Sequence, residues 1–364
     1  MAEQGRSSRI RGTGRRRREP AKRHRGLAFA AWSAAALVVA GGSGLGYAYF
    51  TLNGNIESVD INSQLRDDDR PQDTDDGSMD ILVLGSDSRA GANGAYGRDE
   101  GAARSDTAMM VHLYEGHKKA SVVSIPRDTL MDRPRCTTPS GEAVPAQREA
   151  MFNTAFEAGG PACAVKTVEQ MSGIRMDHYI QVDFAGFRKL IDDLGGVGIT
   201  TTRAIDDKSS HLRLPAGTHT LDGEQSLALV RTRKAVGDGS DLGRIQLQQA
   251  FMKAFIDQVK SVGVLSSPKK LWDLADTATK TITPDSELDS VKELAGFAGG
   301  LKDLGAQDVH MITLPVRYDP ADPNRVVPLQ ARSQQVWTAL KQDRPIPADA
   351  TADTATGQAE GVVK

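Results

Sequence analysis

The chain has 364 residues, of which 39% are hydrophobic and 25% charged, and its formal net charge is −2. These proportions are typical of a globular core with polar extensions. They exclude a collagen-like, coiled-coil or wholly disordered chain, and also a protein that crosses a membrane many times.

The charge is distributed very unevenly along the chain. Residues 1–25 contain ten basic and two acidic residues, and residues 26–50 contain no Asp, Glu, Lys or Arg. Residues 51–364 contain 35 basic and 45 acidic residues, a net charge of −10. The near-neutral total therefore hides a basic tail, an uncharged segment and an acidic remainder.

The uncharged segment 26–50 is a candidate membrane span. Its 25 residues are long enough, as a helix, to cross a hydrocarbon core of about 30 Å. Trp32 and Tyr47 lie near its two ends, where interfacial aromatic residues are common. The apolar run is longer than that of a cleaved signal peptide, which favours an uncleaved signal anchor.

The basic tail 1–25 precedes this span directly. Because positive charge stays on the cytoplasmic side, we expect the N-terminus inside the cell membrane and residues 51–364 outside. A tail that binds nucleic acid is the alternative, but the adjacent span already accounts for the charge, so we expect no nucleic-acid partner.

Composition divides the outer part into three. Residues 51–78 end in an acidic run with Pro and Gly, which predicts a juxtamembrane linker. Residues 79–343 have the pattern of a folded extracytoplasmic domain, and residues 344–364, rich in Ala, Thr and Asp, predict a disordered tail.

The two cysteines, Cys136 and Cys163, lie in the expected extracytoplasmic part. A bridge between them would close a loop of 27 residues, and disulfides are common in exported domains. Two free buried thiols are the alternative. The absence of a flanking His pattern argues against a zinc site.

Strand-like and helix-like segments alternate through the domain. Apolar runs predict strands, and periodic segments with caps predict helices. The strands are 80–84, 109–114, 120–125, 179–182 and 309–314, and the helices are 184–194, 222–231, 241–259, 272–278 and 288–301. This alternation predicts a layered α/β fold with a central sheet covered on both faces.

Polar residues gather where the predicted strands end. Asp87 follows the first strand, Arg104 and Asp106 precede the second, and Arg127 and Asp128 follow the third. Ligands of open α/β sheets bind beyond the carboxyl ends of strands. Asp87 and Arg127 would therefore flank one crevice if their strands were parallel neighbours. Taken singly, such residues are usually turn residues.

The predicted helix 241–259 carries a sharper signal. Arg244, Gln248, Phe251 and Phe255 fall within a stripe about 60° wide at helical periodicity. The two phenylalanines indicate that this stripe faces the core, so Arg244 and Gln248 extend a buried face to the helix N-terminus. An arginine beside exposed helical N–H groups is typical of an anion site.

More cationic residues precede that helix. Arg231 and Arg233 end the previous predicted helix, a short loop away. Several arginines near carboxylates fit a polyanion bound together with a divalent metal. Asp87 and Asp106 offer the hard oxygen ligands that Mg²⁺ (or Mn²⁺) prefers.

Six motifs together resemble the LytR–CpsA–Psr (LCP) family over residues 79–343. They are, in chain order, DILVLGSDSR (80–89), RSDT (104–107), SIPRD (124–128), FNTAFEAGG (152–160), VRTR (230–233) and DLGRIQLQ (241–248). The resemblance implies a layered α-β-α domain with a central mixed sheet, preceded by one transmembrane helix. It also implies a membrane-anchored, Mg-dependent phosphotransferase of Gram-positive cell-wall assembly. Such an enzyme moves a glycopolymer, such as teichoic acid or arabinogalactan, from a polyprenyl diphosphate carrier to a muramic acid hydroxyl of peptidoglycan.

The resemblance also implies roles for particular residues. Asp87 and Asp106 correspond to the metal ligands, and Arg104, Arg127 and Arg244 to the catalytic residues. The residues that correspond to the diphosphate-binding set are Arg104, Arg127, Arg231, Arg233, Arg244 and Gln248. This chain departs from the family at one position, since it has Leu247 where the family commonly has a second Arg. Two residues, Asp106 and Asp128, are candidates for the base that accepts the proton of the acceptor hydroxyl.

Two other functions fit the same motifs. A pyrophosphatase would use water in place of the sugar hydroxyl. A non-catalytic protein would bind the lipid phosphate and regulate the cell envelope.

Overall fold

The computed structural model describes residues 46–65, 70–73, 77–86, 105–262, 267–352, 354–355, 359 and 361–363, with side chains not described at 86, 105 and 106. The basic tail and the predicted span up to residue 45 lie outside these residues. Residues 46–53 are helical. Within the described part of the chain, no helix is both long and apolar enough to cross a bilayer.

After this first helix, sixteen strands and seven α-helices follow one another along the described residues. The strands are β1 (Met79–Ser86), β2 (Ser105–Leu113), β3 (Ala120–Ile125), β4 (Leu130–Arg133), β5 (Cys136–Thr137), β6 (Ala143–Val144), β7 (Gln147–Met151), β8 (His178–Asp183), β9 (Val197–Thr201), β10 (Ile205–Asp207), β11 (Leu212–Leu214), β12 (Gly217–Leu221), β13 (Ile282–Pro284), β14 (Val309–Thr313), β15 (Val316–Tyr318) and β16 (Val326–Pro328). The helices are α1 (Asn153–Ser172), α2 (Phe184–Asp193), α3 (Gly223–Arg231), α4 (Asp241–Ser261), α5 (Pro268–Thr281), α6 (Val291–Gly300) and α7 (Gln330–Lys341).

A mixed sheet with the strand order β13–β8–β1–β2–β3–β14 forms the centre of the domain. Strand β2 is antiparallel to both β1 and β3, whereas β8 is parallel to β1 and β14 is parallel to β3. Strands β1 and β3 are thus not neighbours, because β2 lies between them. They nevertheless run in the same direction, so their carboxyl ends lie at the same edge of the sheet.

Side chains that alternate along each strand supply the cores on the two faces. Met110 is buried on one face with Val165 of α1 and Trp337 of α7. Its neighbour Met109 points to the other face and packs with Met252 of α4. Helices therefore cover both faces, which confirms the predicted mixed α/β fold with a central sheet.

A second apolar cluster lies outside the sheet, between helices α2, α3 and α4 and the small hairpins formed by β9–β12. Leu247 of α4 is completely buried in it, near Ile191 and Leu229. The residue at which this chain departs from the family motif therefore serves packing. An apolar side chain fits this position because its surroundings are apolar.

The segment 51–78 is more closely attached to the domain than a linker. Ile61 and Leu65 are buried in the main core, and Val59 forms a bridge with Asp285. The guanidinium of Arg70 is buried against the carboxylate of Glu169 at 2.6 Å. The described part of this segment is therefore folded onto the domain, because its scattered apolar residues fill the core.

The expectation of disorder after residue 343 is wrong for the described part of that tail. Ile346 and Ala350 are buried in the main core, and residues Ala348–Thr351 form a 3-10 turn. Further on, Val363 forms an antiparallel bridge with Thr201. A few apolar residues at irregular spacing anchor this segment, which a periodicity argument does not detect.

Cys136 and Cys163 form a disulfide, with their Cα atoms 5.4 Å apart. The bridge joins β5 to α1, a helix that the sequence pattern did not predict. Gly159 and Gly160 have non-helical backbone angles within α1, and a Cβ on Gly159 would lie 2.7 Å from the Cβ of Cys163. The kink at these glycines makes room for the bridge, and the predicted disulfide is confirmed.

Candidate functional site

The carboxyl edge of the sheet collects the residues of the sequence motifs. Gly85 of β1 is opposite Thr107 of β2, and Ala108 of β2 is opposite Ile125 of β3. The end of β1, the start of β2 and the end of β3 therefore meet at one edge. Asp87 and Arg104, both named above, lie outside the described residues, and the backbone of Asp106 lies at this edge beside Thr107.

The turn after β3 holds Arg127 in place. The carbonyl of Arg127 accepts a hydrogen bond from the amide of Asn153 (3.1 Å), and the carbonyl of Thr129 accepts one from Phe152 (2.9 Å). Both donors lie at the start of α1. The Thr129 hydroxyl also donates to the carbonyl of Pro126 (2.6 Å), so the start of α1 fixes the backbone on both sides of Asp128.

Asp241 lies at the start of α4 and contacts three arginines. Its Oδ1 is 2.5 Å from Nη2 of Arg244, 3.6 Å from Nε of Arg127 and 3.9 Å from Nε of Arg233. Asp241 does not cap α4, because Ser240 occupies the N-cap position. The buried Asp241 carboxylate instead brings together arginines that are up to 117 positions apart in the sequence.

Asp128 is the second carboxylate of the site. One of its oxygens is 3.8 Å from Nε of Arg127 and from Nη2 of Arg233, and the other is 3.8 Å from Nη1 of Arg325. Burial and the nearby charge of Asp241 raise the pKa of Asp128 above its usual value, and together they outweigh the three arginines. Asp128 is thus a carboxylate with more than ordinary basicity, held among cations.

A cleft of about 570 Å³ opens beside these charges. Its wall includes Arg127, Asp128, Arg233, Asp241 and Arg325. The loop between α3 and α4 and the β15–β16 hairpin complete it with Asp238, Gly239, Ser240, Tyr318, Pro323 and Asn324. The N-terminal end of α4 also faces the cleft, which adds the positive end of a helix dipole.

Gln248 and Arg244 occupy the buried face of α4, as the stripe predicted. Arg244 is 5% exposed and Gln248 7% exposed. The amide nitrogen of Gln248 donates to the Thr107 hydroxyl (3.1 Å) and to the carbonyl of Val230 (2.9 Å). Gln248 thereby joins α4 to the edge of the sheet and to the end of α3.

Arg231 lies against an aromatic ring. Its guanidinium carbon is 5.5 Å from the centre of the Phe184 ring, a cation–π contact at the start of α2. Phe184 follows the carboxyl end of β8, which is the strand next to β1. Arg231 is therefore at the same edge of the sheet, beyond β1, and it is not in the wall of the cleft.

Sequence reasoning missed Arg325 and Tyr318. The amide of Val326 donates to the carbonyl of Asp128 (3.4 Å), and Thr129 and Val326 form a parallel bridge. This pairing places Arg325 beside Asp128. Because it joins segments almost 200 positions apart, no local pattern signals it.

The side chains of the two predicted metal ligands, Asp87 and Asp106, lie outside the described part of the structure. The backbone of Asp106 is in β2 next to Thr107, whose partner is Gly85 near the end of β1. Aspartate is a residue type whose oxygens suit Mg²⁺ or Mn²⁺. Among the described side chains, no cluster of three or more His, Cys, Asp or Glu has the spacing of a metal site.

Comparison with known proteins identifies relatives along nearly the whole chain. The sequence profile of the LytR_cpsA_psr family matches residues 48–342. The polyisoprenyl-teichoic acid–peptidoglycan teichoic acid transferase TagT of Bacillus subtilis is 32% identical over 90% of this chain and 97% of its own length. The cell wall biosynthesis protein LcpA of Corynebacterium glutamicum is 31% identical over 78% of this chain, which spans 60% of LcpA. The regulatory protein MsrR of Staphylococcus aureus is 28% identical over 68% of each chain.

Solved structures agree with the fold described above. TagT bound to LI-WTA superposes with a TM-score of 0.57 at 29% identity, over 78% of this chain and 98% of TagT. An LytR-Csp2A-Psr enzyme from Actinomyces oris gives a TM-score of 0.56 at 23% identity, over 78% of this chain and 95% of its own. At 23% identity, the similarity to the Actinomyces oris structure supports only a shared fold.

Proposed function

The chain belongs to the LytR–CpsA–Psr family, and from this premise we propose that it transfers a glycopolymer from a polyprenyl diphosphate carrier to peptidoglycan. The relatives named for teichoic acid transfer and for cell wall biosynthesis support this class of reaction. The acceptor is a hydroxyl of muramic acid, and the products are a phosphodiester and a polyprenyl phosphate.

One observation carries the proposal: the two carboxylates of the cleft wall, Asp128 and Asp241, gather three arginines. Arg127 and Arg233 approach both carboxylates, and Arg244 approaches Asp241. Most of these separations are 3.6 to 3.9 Å, longer than a hydrogen bond. A diphosphate carries more charge than either carboxylate, so its oxygens would take over these arginines at short distances.

The chemistry of transfer follows from this arrangement. The acceptor oxygen forms a bond to the phosphorus that bears the polymer, and the bond from that phosphorus to the bridging oxygen breaks. The arginines stabilise the negative charge on the leaving lipid phosphate, and the bound geometry sets the line of attack. Asp128, whose pKa is raised, is the described carboxylate in the cleft suited to accept the hydroxyl proton.

A metal ion would assist at the edge of the sheet. Asp87 and Asp106 would hold Mg²⁺ or Mn²⁺, and the ion would neutralise charge on the diphosphate oxygens when bound. Arg104, which precedes β2, would contact the same group. In the sequence, Asp87 follows β1, and Arg104 and Asp106 lie at the start of β2.

The proposed location follows from the charge pattern of the first fifty residues. The basic tail 1–25 would remain in the cytoplasm, and segment 26–50 would span the cell membrane once. The domain would then act on the outer surface, where a lipid-linked donor and peptidoglycan are both present.

The test is a transfer assay with the full-length protein reconstituted in lipid vesicles, with a lipid-linked glycopolymer as donor and peptidoglycan as acceptor. We expect Arg127→Ala and Arg244→Ala each to lower transfer at least about 100-fold, with the circular dichroism spectrum unchanged. Arg213→Ala removes an exposed arginine outside the cleft and should leave transfer unchanged. Full transfer by both cleft variants would contradict the proposed site.

Two other functions give different products. A pyrophosphatase would release polymer phosphate at the same rate with and without peptidoglycan, whereas the transferase would attach polymer to muramic acid. The relative MsrR is named as a regulatory protein, and a purely regulatory protein would bind the lipid diphosphate without turnover. Mass spectrometry of the products, with and without acceptor, separates the three.

A further inference from the structure

The outer wall of the cleft contains a group of residues that the diphosphate chemistry does not require. Tyr318, Asn324 and Arg325 belong to the β15–β16 hairpin and its connecting loop, and all three line the cleft. None of them belongs to the six sequence motifs named above. Ser240 and Asp241, at the N-terminal end of α4, line the same cleft.

Backbone pairing and one side-chain contact fix this hairpin in place. The bridge between Thr129 and Val326 attaches its second strand to the turn after Asp128. The Tyr318 hydroxyl donates to Oδ2 of Asp238 at 2.5 Å, which attaches its first strand to the loop before α4. The hairpin is thus connected to the turn that carries Arg127 and to the loop before α4, and it forms part of the cleft wall.

Arg325 differs from the arginines deeper in the site. Its guanidinium is half-buried, and its carboxylate contacts are two ion pairs of 3.8 Å, to Asp128 and to Asp322. Its Nη1 also donates to the carbonyl of Asn324 at 3.4 Å. These contacts are long, so an acidic group that enters the cleft would form shorter ones.

Tyr318 and Asn324 have the chemistry of a sugar-binding surface. Tyr318 lines the cleft and is 36% exposed, so an aromatic side chain is available to a ligand there. The Asn324 amide donates to Oδ1 of Asp322, and its side-chain oxygen is a further acceptor. An aromatic ring with planar polar groups beside it suits a pyranose ring, which has apolar faces and a hydroxyl rim.

We propose that Tyr318, Asn324 and Arg325 form a subsite for a sugar unit that bears an acidic group, next to the diphosphate position. The proposal rests on the transferase function above. The acidic sugar has two possible sources, namely a sugar phosphate or sugar acid of the donor polymer, and the lactyl or peptide carboxylate of the acceptor. Both would place one anionic group at Arg325 and a ring against Tyr318.

Binding measurements on the full-length protein in vesicles test this subsite. The probes are farnesyl diphosphate, farnesyl diphosphate that carries N-acetylglucosamine, the same molecule with a phosphate on the sugar, and a muropeptide. For Arg325→Ala, the dissociation constants of the first two should stay within about twofold. The dissociation constant of one acidic probe should rise at least about tenfold, the value of one charge-assisted hydrogen bond.

Three further variants control for general effects. Arg325→Lys keeps the charge and should recover part of the affinity. Tyr318→Ala should weaken binding of the two N-acetylglucosamine donors if the donor occupies the subsite, or of the muropeptide if the acceptor does. Arg213→Ala, a loss of the same charge outside the cleft, should change none of the dissociation constants.

The outcomes separate the subsite from the proposed function. Weaker binding of the phosphorylated donor places the donor polymer in the subsite, and weaker binding of the muropeptide places the acceptor there. Equal weakening of all probes, including farnesyl diphosphate, would make Arg325 part of the diphosphate site and overturn the proposal. Unchanged dissociation constants for all four probes would also overturn it. Failure of the unaltered protein to bind farnesyl diphosphate would instead contradict the proposed function.

Discussion

Gln248 of α4 donates a hydrogen bond of 3.1 Å to the hydroxyl of Thr107 on β2. The same amide nitrogen donates to the carbonyl of Val230, near the end of α3. This buried side chain therefore joins α4 both to the edge of the sheet and to α3. Because Arg244 lies one helical turn before Gln248, this contact also determines where the Arg244 guanidinium lies.

Replacement of Gln248 by Ala should lower transfer more than it lowers stability. The variant loses two hydrogen bonds, which we expect to cost about 1–3 kcal/mol of unfolding free energy. It also removes the link of α4 to Thr107 and to the end of α3, so the rate of transfer should fall at least about tenfold. The rate with saturating donor and the free energy of unfolding in urea are the two measurements.

Gln249→Ala is the matched control on the same helix. The Gln249 amide donates to the hydroxyl of Ser124 (3.1 Å), so this variant also loses a partly buried hydrogen bond, and Gln249 lies outside the cleft wall. We expect similar stability loss and unchanged transfer. If both variants reduced transfer equally, Gln248 would have no special connection with the site.

The ion pair between Arg70 and Glu169 makes the segment before β1 part of the fold. The Arg70 guanidinium donates to both oxygens of Glu169, and its Nη2 also donates to the carbonyl of Met176 (2.8 Å). Arg70→Ala would leave a buried carboxylate without this cation, which we expect to cost about 3–5 kcal/mol of unfolding free energy. Chemical denaturation measures this loss.

A double substitution separates the pair from the rest of the segment. Arg70→Met combined with Glu169→Gln removes both charges, so it should be less destabilising than Arg70→Ala alone. Lys269→Ala breaks an exposed ion pair with Asp273 and should not change the unfolding midpoint. A negligible effect of Arg70→Ala would mean that the segment is only loosely attached.

The sequence was sufficient to predict the elements whose signals are local. Strands β1, β2 and β3 are continuous apolar runs, and the capping box of Asp222 and Gln225 marks the start of α3. The buried stripe of α4 is likewise visible in its periodicity. Each of these signals arises from residues within a few positions of one another.

What could not be predicted depends on contacts between distant segments. Helix α1 contains Gly159, Gly160 and Pro161, which interrupt its pattern, and a disulfide and tertiary packing hold it together. Arg325 reaches Asp128 only through the pairing of β16 with the turn after β3. No spacing rule connects these residues, since the loops between them have no fixed length.

Loss of the disulfide should destabilise the domain without changing its chemistry. The bridge closes a loop of 27 residues, for which chain entropy predicts about 3–4 kcal/mol. Cys136→Ala with Cys163→Ala should therefore lower the midpoint in guanidinium chloride, with transfer per folded molecule unchanged below the transition. Reduction of the bridge in the unaltered protein should lower its stability by the same amount as the double substitution, because both remove the same cross-link.

Asp177 should make stability fall as the pH rises from about 4 to 6. Burial raises the pKa of Asp177 to about 6, and the charges of Asp80 and Asp73 add to this effect. In the unfolded chain an aspartate titrates near pH 4. Between these values the unfolded state releases its proton while the folded state keeps it, so each step in pH favours unfolding, and above about 6 the penalty is constant.

Asp177→Asn isolates this contribution. The Asn side chain retains an oxygen that can accept the amide of Asp80, which lies 2.6 Å from Oδ2 of Asp177. The variant should match the unaltered protein near pH 4 and exceed it near pH 7 by up to about 2 kcal/mol, because the group is only partly screened by solvent. Urea denaturation at both pH values gives this difference directly. A difference that is the same at both would show that Asp177 titrates alike in the folded and unfolded chains, and the buried position of its carboxylate would then carry no electrostatic cost.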